Sequence, residues 1–216
     1  MKKLPFLTSY ISDLDSVIGN FSMTLSLSGF PKDIQRNGKL SIENGLMYSM
    51  QLTDPIKALN GKAVIDKNIL KVDEMFALVY NPRSNYIEQK KPNTQIVGSI
   101  DISQFFKPKY NLSIKAKDVS YELLSIDISG LANLDLNISG RDTVEIAGKI
   151  ESIDAKIFYE FNTEEIGTAL DDNGVVMSYN LNIPLRSSAF FQNSQIDAEL
   201  LGEINLSQKG HQEIDF

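Results

Sequence analysis

The side chains that could do chemistry in this sequence are mostly carboxylates. The run Asp171-Asp172-Asn173-Gly174 carries the oxygen ligands that a hard cation prefers. The same run has the composition of a turn before an alternating segment, and we interpret it as a turn. The pairs Asp13 with Asp15 and Glu164 with Glu165 could act as acid and base. We interpret both pairs as solvated charges near the ends of elements.

Several kinds of site are excluded by residue type. The sequence has no cysteine and a single histidine, His211, so thiol catalysis, disulfides and Cys or His zinc sites are not expected. It also has no phosphate-binding glycine loop, no H-E-x-x-H and no G-x-S-x-G. The net charge of −7 and the pI of about 4.8 argue against nucleic acid. We therefore expect a non-enzymatic protein with no metal, no cofactor and no nucleic-acid partner.

Alternating polarity is the strongest structural signal. Apolar and polar residues alternate through residues 21–27, 132–138 and 175–185, which gives each segment one apolar and one polar face. Glycines and Asn-Gly pairs, such as Asn44-Gly45 and Asn60-Gly61, are interpreted as turns between strands. The pattern predicts an all-β, antiparallel sheet with little helix.

Three other segments carry weaker predictions. Residues 7–18 and 164–170 are the two candidates for helix, and the polar stretch 82–92 is predicted to be an exposed loop. Met1-Lys2-Lys3 is followed by an apolar run too short and too polar for a signal peptide, and no stretch is long enough for a membrane helix. We expect either a cytosolic protein or a fragment whose targeting segment lies upstream.

The sequence also contains two internally similar stretches. Residues 21–29 and 132–140 share their apolar positions and both end in Ser-Gly. Each is followed at similar spacing by Gly-Lys and an apolar residue, at Gly38-Lys39 and at Gly148-Lys149. This similarity predicts stacked, related units within one domain spanning residues 1–216, which would be part of a longer repeat protein.

Three stretches carry a family resemblance. They are residues 25–29 followed by 38–45, residues 52–72, and residues 179–206 with the phrase Tyr179-Asn-Leu-Asn-Ile-Pro184. Together they resemble the TamB/AsmA-like family of bacterial envelope proteins, and the last is similar to the C-terminal region of TamB proteins. The resemblance implies an elongated antiparallel sheet curled into a U-shaped groove with an apolar interior.

The resemblance also implies a function and a location. The parent protein would lie in the periplasm of a two-membrane bacterium, anchored in the inner membrane through a segment not present in this chain. It would transfer phospholipid between the membranes, assist outer-membrane protein assembly, or both, with a TamA-like outer-membrane barrel protein as its partner.

The alternating segments supply the predicted lining of such a groove. Burying an acyl chain against apolar side chains stabilises it by about 0.8 kcal/mol per CH₂. The predicted contacts to phospholipid acyl chains are Phe21, Met23, Leu25, Leu27, Leu134, Leu136, Ile138, Val175, Met177, Tyr179, Leu181 and Ile183.

Other architectures fit the same alternation. A closed β-sandwich acting as a binding or adhesion module of the cell envelope buries its apolar faces against each other. An outer-membrane barrel also has alternating strands, although this chain has no Trp for the aromatic girdles. A β-helix enzyme acting on polysaccharide would need carboxylates grouped on one strand face, and the sequence shows no such group.

Overall fold

In this computed structural model, the residues that the structure describes are 2–3, 14–30, 33–49, 54–81, 91–123, 127–158 and 176–209. These residues form eleven strands and no helix, which confirms the all-β prediction. The strands are β1 (Lys2–Lys3), β2 (Leu14–Phe30), β3 (Asp33–Ser49), β4 (Ile56–Asp66), β5 (Ile69–Leu78), β6 (Thr94–Asp101), β7 (Lys109–Leu123), β8 (Ile128–Gly140), β9 (Thr143–Phe158), β10 (Val176–Gln192) and β11 (Asp197–Gln208).

All eleven strands lie in one sheet, and their order in the sheet is their order in the chain. Neighbouring strands are antiparallel, as predicted, with one exception: β10 runs parallel to β9. A parallel neighbour requires a connection that carries the chain back to the starting end of the sheet. Residues 159–175 make this connection, and they lie outside the described residues. The sheet is therefore mixed at this single pair.

The prediction of helix for residues 7–18 is wrong where it can be compared. Residues 14–18 are strand, because β2 begins at Leu14 and pairs with β3 from there. Val17 is buried against Ile42, Leu59 and Ala77 of the next strands, so packing across the sheet decides this segment. The other helical candidate and most of the loop predicted at 82–92 lie outside the described residues.

The Asn-Gly pairs among the described residues are not turns. Asn44-Gly45 lies inside β3 and Asn60-Gly61 lies inside β4. The turn between β4 and β5 is instead made by Lys67 and Asn68, with φ of 47° and 69°. Two successive residues with positive φ form the turn type that matches the twist of antiparallel strands.

Two clusters of buried hydrophobic side chains lie on one face of the sheet. The larger cluster includes Ile150, Leu181, Ile183 and Leu206 and lies on β7 to β11. The smaller one lies on β2 to β5 around Ile42. Both clusters come from alternate positions of successive strands, as the period-two pattern requires.

Candidate functional site

The candidate site is the apolar face of the sheet, built from three rows that run across the strands. Residues directly opposite each other in a ladder point to the same face, so the pairing defines each row. The first row crosses ten strands without a polar side chain, over about 40 Å at roughly 4.8 Å per strand. Its members are Phe21, Ile42, Gly61, Met75, Ile96, Ile114, Leu136, Gly148, Leu181 and Leu206.

Two further rows lie beside the first. The second row runs through Met23, Leu40, Ala63, Val72, Gly98, Leu112, Ile138, Ile146 and Tyr179. The third runs through Leu25, Gly38, Ile65, Leu70, Ile100, Tyr110, Gly140, Val144 and Met177. Neither contains a charged side chain, so the face is continuously apolar from β2 to β10.

The structure brings the predicted lining residues onto this one face. The residues predicted on β2, β8 and β10 occupy equivalent alternate positions, although the three strands are far apart in the sequence. Val175 alone lies outside the described residues.

Exposure differs between the two ends of the apolar face. On β10, Leu181 is 4% exposed and Ile183 is completely buried. On β2, Met23 is 55% exposed, Leu25 42% and Leu27 61%. The side chains on β2 therefore leave apolar surface exposed.

The opposite face of the sheet is polar. One row on that face holds Gln95, Lys115, Asp135, Lys149, Asn182 and Asn205. Lys115 and Asp135 form an ion pair at 3.6 Å, and the Asn182 side chain donates a hydrogen bond to Asn205 Oδ1 at 2.8 Å. The sheet thus has one polar face and one apolar face.

Glycines inside the strands are a feature that sequence reasoning missed. Gly98 and Gly148 have φ of 134° and 139°, which side chains rarely tolerate. Gly98 lies opposite Leu112, and Gly148 lies opposite Leu136. A Cβ on either glycine would overlap the backbone carbonyl oxygen of the adjacent strand. Glycine in a strand marks this kind of close backbone approach, which is the signal that could have identified them.

Hydrogen bonds tie together the loops at one end of the strands. The Arg36 backbone N–H and Nη1 donate to Asn68 Oδ1 at 2.9 and 3.1 Å, and the Ile102 N–H donates to the Asn68 carbonyl at 2.8 Å. Arg141 donates to Asp101 Oδ2 at 2.8 Å. Hydrogen bonds from Ser103, and then the charge of Arg141, lower the pKa of Asp101. This end of the sheet is therefore held by a polar network.

Two tyrosines on the apolar face have perturbed acidity. Burial raises the pKa of Tyr110 and of Tyr121 above the usual value of 10. The Tyr121 hydroxyl donates to Ser152 Oγ at 3.4 Å. Neither tyrosine stands beside a group with which it could form a nucleophile–base pair in the contacts that the structure gives.

Of the acidic candidates, only Asp15 lies among the described residues. Asp15 is exposed near the start of β2, while Asp13, Glu164, Glu165, the run 171–174 and His211 lie outside the described residues. Within the described part of the chain, no group of three or more His, Asp or Glu side chains could hold a metal ion. These residues also include no helix long and apolar enough to cross a membrane.

Compared with protein-family models, curated proteins and solved structures, the chain gives no significant match. The resemblance to the TamB/AsmA-like family therefore stays a prediction from the sequence.

Proposed function

We propose that the apolar face binds phospholipid acyl chains, and that this chain is a segment of a TamB/AsmA-like lipid-conducting groove. The observation that carries the proposal is the continuity of the first row, from Phe21 on β2 to Leu206 on β11, with no polar side chain between them. An acyl chain lying along such a row meets the same apolar surroundings at every position. Binding at about 0.8 kcal/mol per buried CH₂ would be spread evenly along the row, which favours movement over capture at one point.

The glycines support a curved sheet. Glycine kinks are the means by which sheets bend away from flatness. Gly38, Gly98 and Gly148 lie in the rows of the apolar face, each opposite a leucine of a neighbouring strand. Ile183 and Ala132 are completely buried although all described strands belong to a single sheet. A curl toward the apolar face would account for that burial and would turn the face into a groove.

The remaining parts of the proposal come from the family resemblance. They are the location in the periplasm of a two-membrane bacterium, anchoring to the inner membrane by the parent protein, and a role in lipid transfer or outer-membrane protein assembly with a TamA-like barrel protein. The closed β-sandwich is the less favoured alternative, since a sandwich needs two facing sheets and the described strands form one.

The experiment that tests the proposal compares two variants of β10. Met177→Asp places a charge on the apolar face at a partly exposed position, and Asn180→Asp places the same charge on the exposed polar face. Each purified protein is analysed by native mass spectrometry for bound phospholipid, and its fold is checked by circular dichroism. We expect phospholipid on the wild-type chain and on Asn180→Asp, and much less on Met177→Asp. A folded wild-type chain that carries no phospholipid, also after incubation with phospholipid vesicles, would overturn the proposal.

A further inference from the structure

The β6–β7 loop, residues 102–108, is the longest described connection at its end of the sheet. The connections beside it, between β4 and β5 and between β8 and β9, contain two residues each. All three start from the same level, since Ile69 pairs with Asp101 and Tyr110 pairs with Gly140. The β6–β7 loop is therefore five residues longer than either neighbour.

The loop also lies in the middle of the sheet. Strands β1 to β5 lie on one side of β6, and strands β8 to β11 lie on the other side of β7. At about 4.8 Å per strand, the long strands at either edge are about 20 Å away along the sheet. A strand added at either edge would therefore leave the β6–β7 loop uncovered.

The loop exposes two neighbouring phenylalanine side chains. Phe106 is 79% exposed and Phe105 is 46% exposed. Their rings meet edge to face, with centroids 5.6 Å apart. The two rings together form apolar surface that a binding partner can remove from water.

Contacts on both sides hold the loop in place. On one side, the Arg36 guanidinium lies over the Phe105 ring, 5.7 Å from its centroid. On the other side, Arg141 Nη1 donates to the Lys107 carbonyl at 2.6 Å, and Lys107 Nζ forms an ion pair with Asp142 at 3.1 Å. A loop that is already ordered loses little conformational entropy when it binds.

The charge around the loop is positive, although the net charge of the chain is −7. Residues 102–109, with the sequence ISQFFKPK, contain two lysines and no carboxylate. The loop, its flanking residues and the charged side chains that contact it carry four cations and two carboxylates, which are Lys107, Lys109, Arg36, Arg141, Asp101 and Asp142. Exposed charges farther away than about 8 Å are largely screened at physiological ionic strength, so this local excess decides what the loop attracts.

We infer that the β6–β7 loop docks on a phospholipid bilayer, with Phe106 inserted at the level of the headgroups and with Lys107 and Lys109 against the lipid phosphates. Apolar rings beside lysines are the combination that holds proteins in the interfacial region of a bilayer. A protein partner is less well suited to this surface, because lysine is depleted at protein interfaces, whereas an anionic lipid surface attracts it.

This docking site is separate from the apolar face, and the inference does not require the proposed function. Ile100 and Tyr110 form a pair at the base of the loop and belong to the third row of that face. A bilayer docked at the loop therefore lies beside one margin of the apolar face, which brings its acyl chains within reach of that face.

Sedimentation with vesicles tests the docking. Phe106→Ser is expected to weaken association with vesicles of phosphatidylcholine and phosphatidylglycerol roughly tenfold, because the ring no longer leaves water. The matched control is Leu201→Ser, which removes a side chain that is 78% exposed on β11 and is expected to bind like the wild-type chain. Lys107→Gln and Lys109→Gln should each weaken binding to these vesicles about fivefold, with little effect on vesicles of phosphatidylcholine alone.

Tryptophan fluorescence tests the insertion directly, because the natural sequence contains no tryptophan. In Phe106→Trp the emission is expected to shift to the blue when vesicles are added and to be quenched by lipids with brominated acyl chains. In Leu201→Trp the emission is expected to remain that of an indole in water. Circular dichroism checks that each variant folds, which is expected since both positions are exposed.

Three outcomes would each overturn the inference. They are a wild-type chain that does not sediment with vesicles, equal vesicle binding by Phe106→Ser and the wild-type chain, and an emission of Phe106→Trp that vesicles leave unchanged. The first is the result expected if the exposed rings bind a protein instead. Failure of the proposed function is measured separately, as the absence of phospholipid in native mass spectrometry, which Phe106→Ser is expected to leave unchanged.

Discussion

Leu136 lies directly opposite Gly148 in the ladder between β8 and β9. The same relationship joins Leu25 to Gly38 in the ladder between β2 and β3. These two hairpins contain the internally similar stretches of sequence. In each, the leucine lies four residues before a second glycine at or next to the end of its own strand, which is Gly29 in β2 and Gly140 in β8. The internal similarity therefore corresponds to two hairpins built alike, with a glycine on the apolar face opposite a leucine.

Gly148→Ala is expected to destabilise the fold more than Gly202→Ala. Both glycines have a positive φ, at 139° and 136°, so alanine is strained at either position by about 1–3 kcal/mol. The new Cβ at position 148 also overlaps the Asp135 carbonyl oxygen, whereas the one at position 202 meets no atom within 4 Å. Urea unfolding followed by circular dichroism measures both variants. Equal losses of unfolding free energy would mean that the close approach of β8 and β9 contributes nothing.

Shortening a side chain that the sheet buries on β10 is expected to lower the free energy of unfolding. Ile183→Ala should lower the free energy of unfolding by about 2–5 kcal/mol, because Ile183 is completely buried in the larger cluster. Leu201→Ala is the control, since Leu201 is 78% exposed and its loss should change stability by about 0.5 kcal/mol or less. A similar, small effect for both would show that the apolar face is loosely packed around β10.

The sequence predicted which residues share a face better than it predicted where strands end. Alternation placed Phe21, Leu136 and Leu181 correctly, because a strand that buries one face must repeat every second residue. The prediction of turns failed at Asn60-Gly61, since glycine also permits close approach between neighbouring backbones. The parallel placement of β10 beside β9 has no local signal, because it is set by the path of the connection.

In acid, the free energy of unfolding is expected to depend less steeply on pH in Asp101→Asn than in the wild-type chain. The pKa of Asp101 is lowered from its usual 3.8, so its ionised form stabilises the fold above that value, and this contribution is lost as the pH falls through the lowered pKa. Unfolding free energies measured from about pH 5 downward should therefore fall less steeply for the variant than for the wild-type chain. Ser103→Ala, which removes one of the hydrogen bonds to the carboxylate, should give an intermediate slope. Identical slopes in all three proteins would assign acid sensitivity to other groups.

Tyr121→Phe is expected to protect the fold in alkali. Burial raises the pKa of Tyr121 above 10, so the neutral phenol stabilises the fold below that value and the contribution is lost as the pH rises through the raised pKa. Phenylalanine cannot ionise, so the variant should retain its structure to higher pH in circular dichroism. Tyr110→Phe should act in the same direction, because burial raises that pKa as well. If neither variant shifts the pH at which the fold is lost in alkali, then these phenols ionise without leaving the apolar face, and solvent reaches them there.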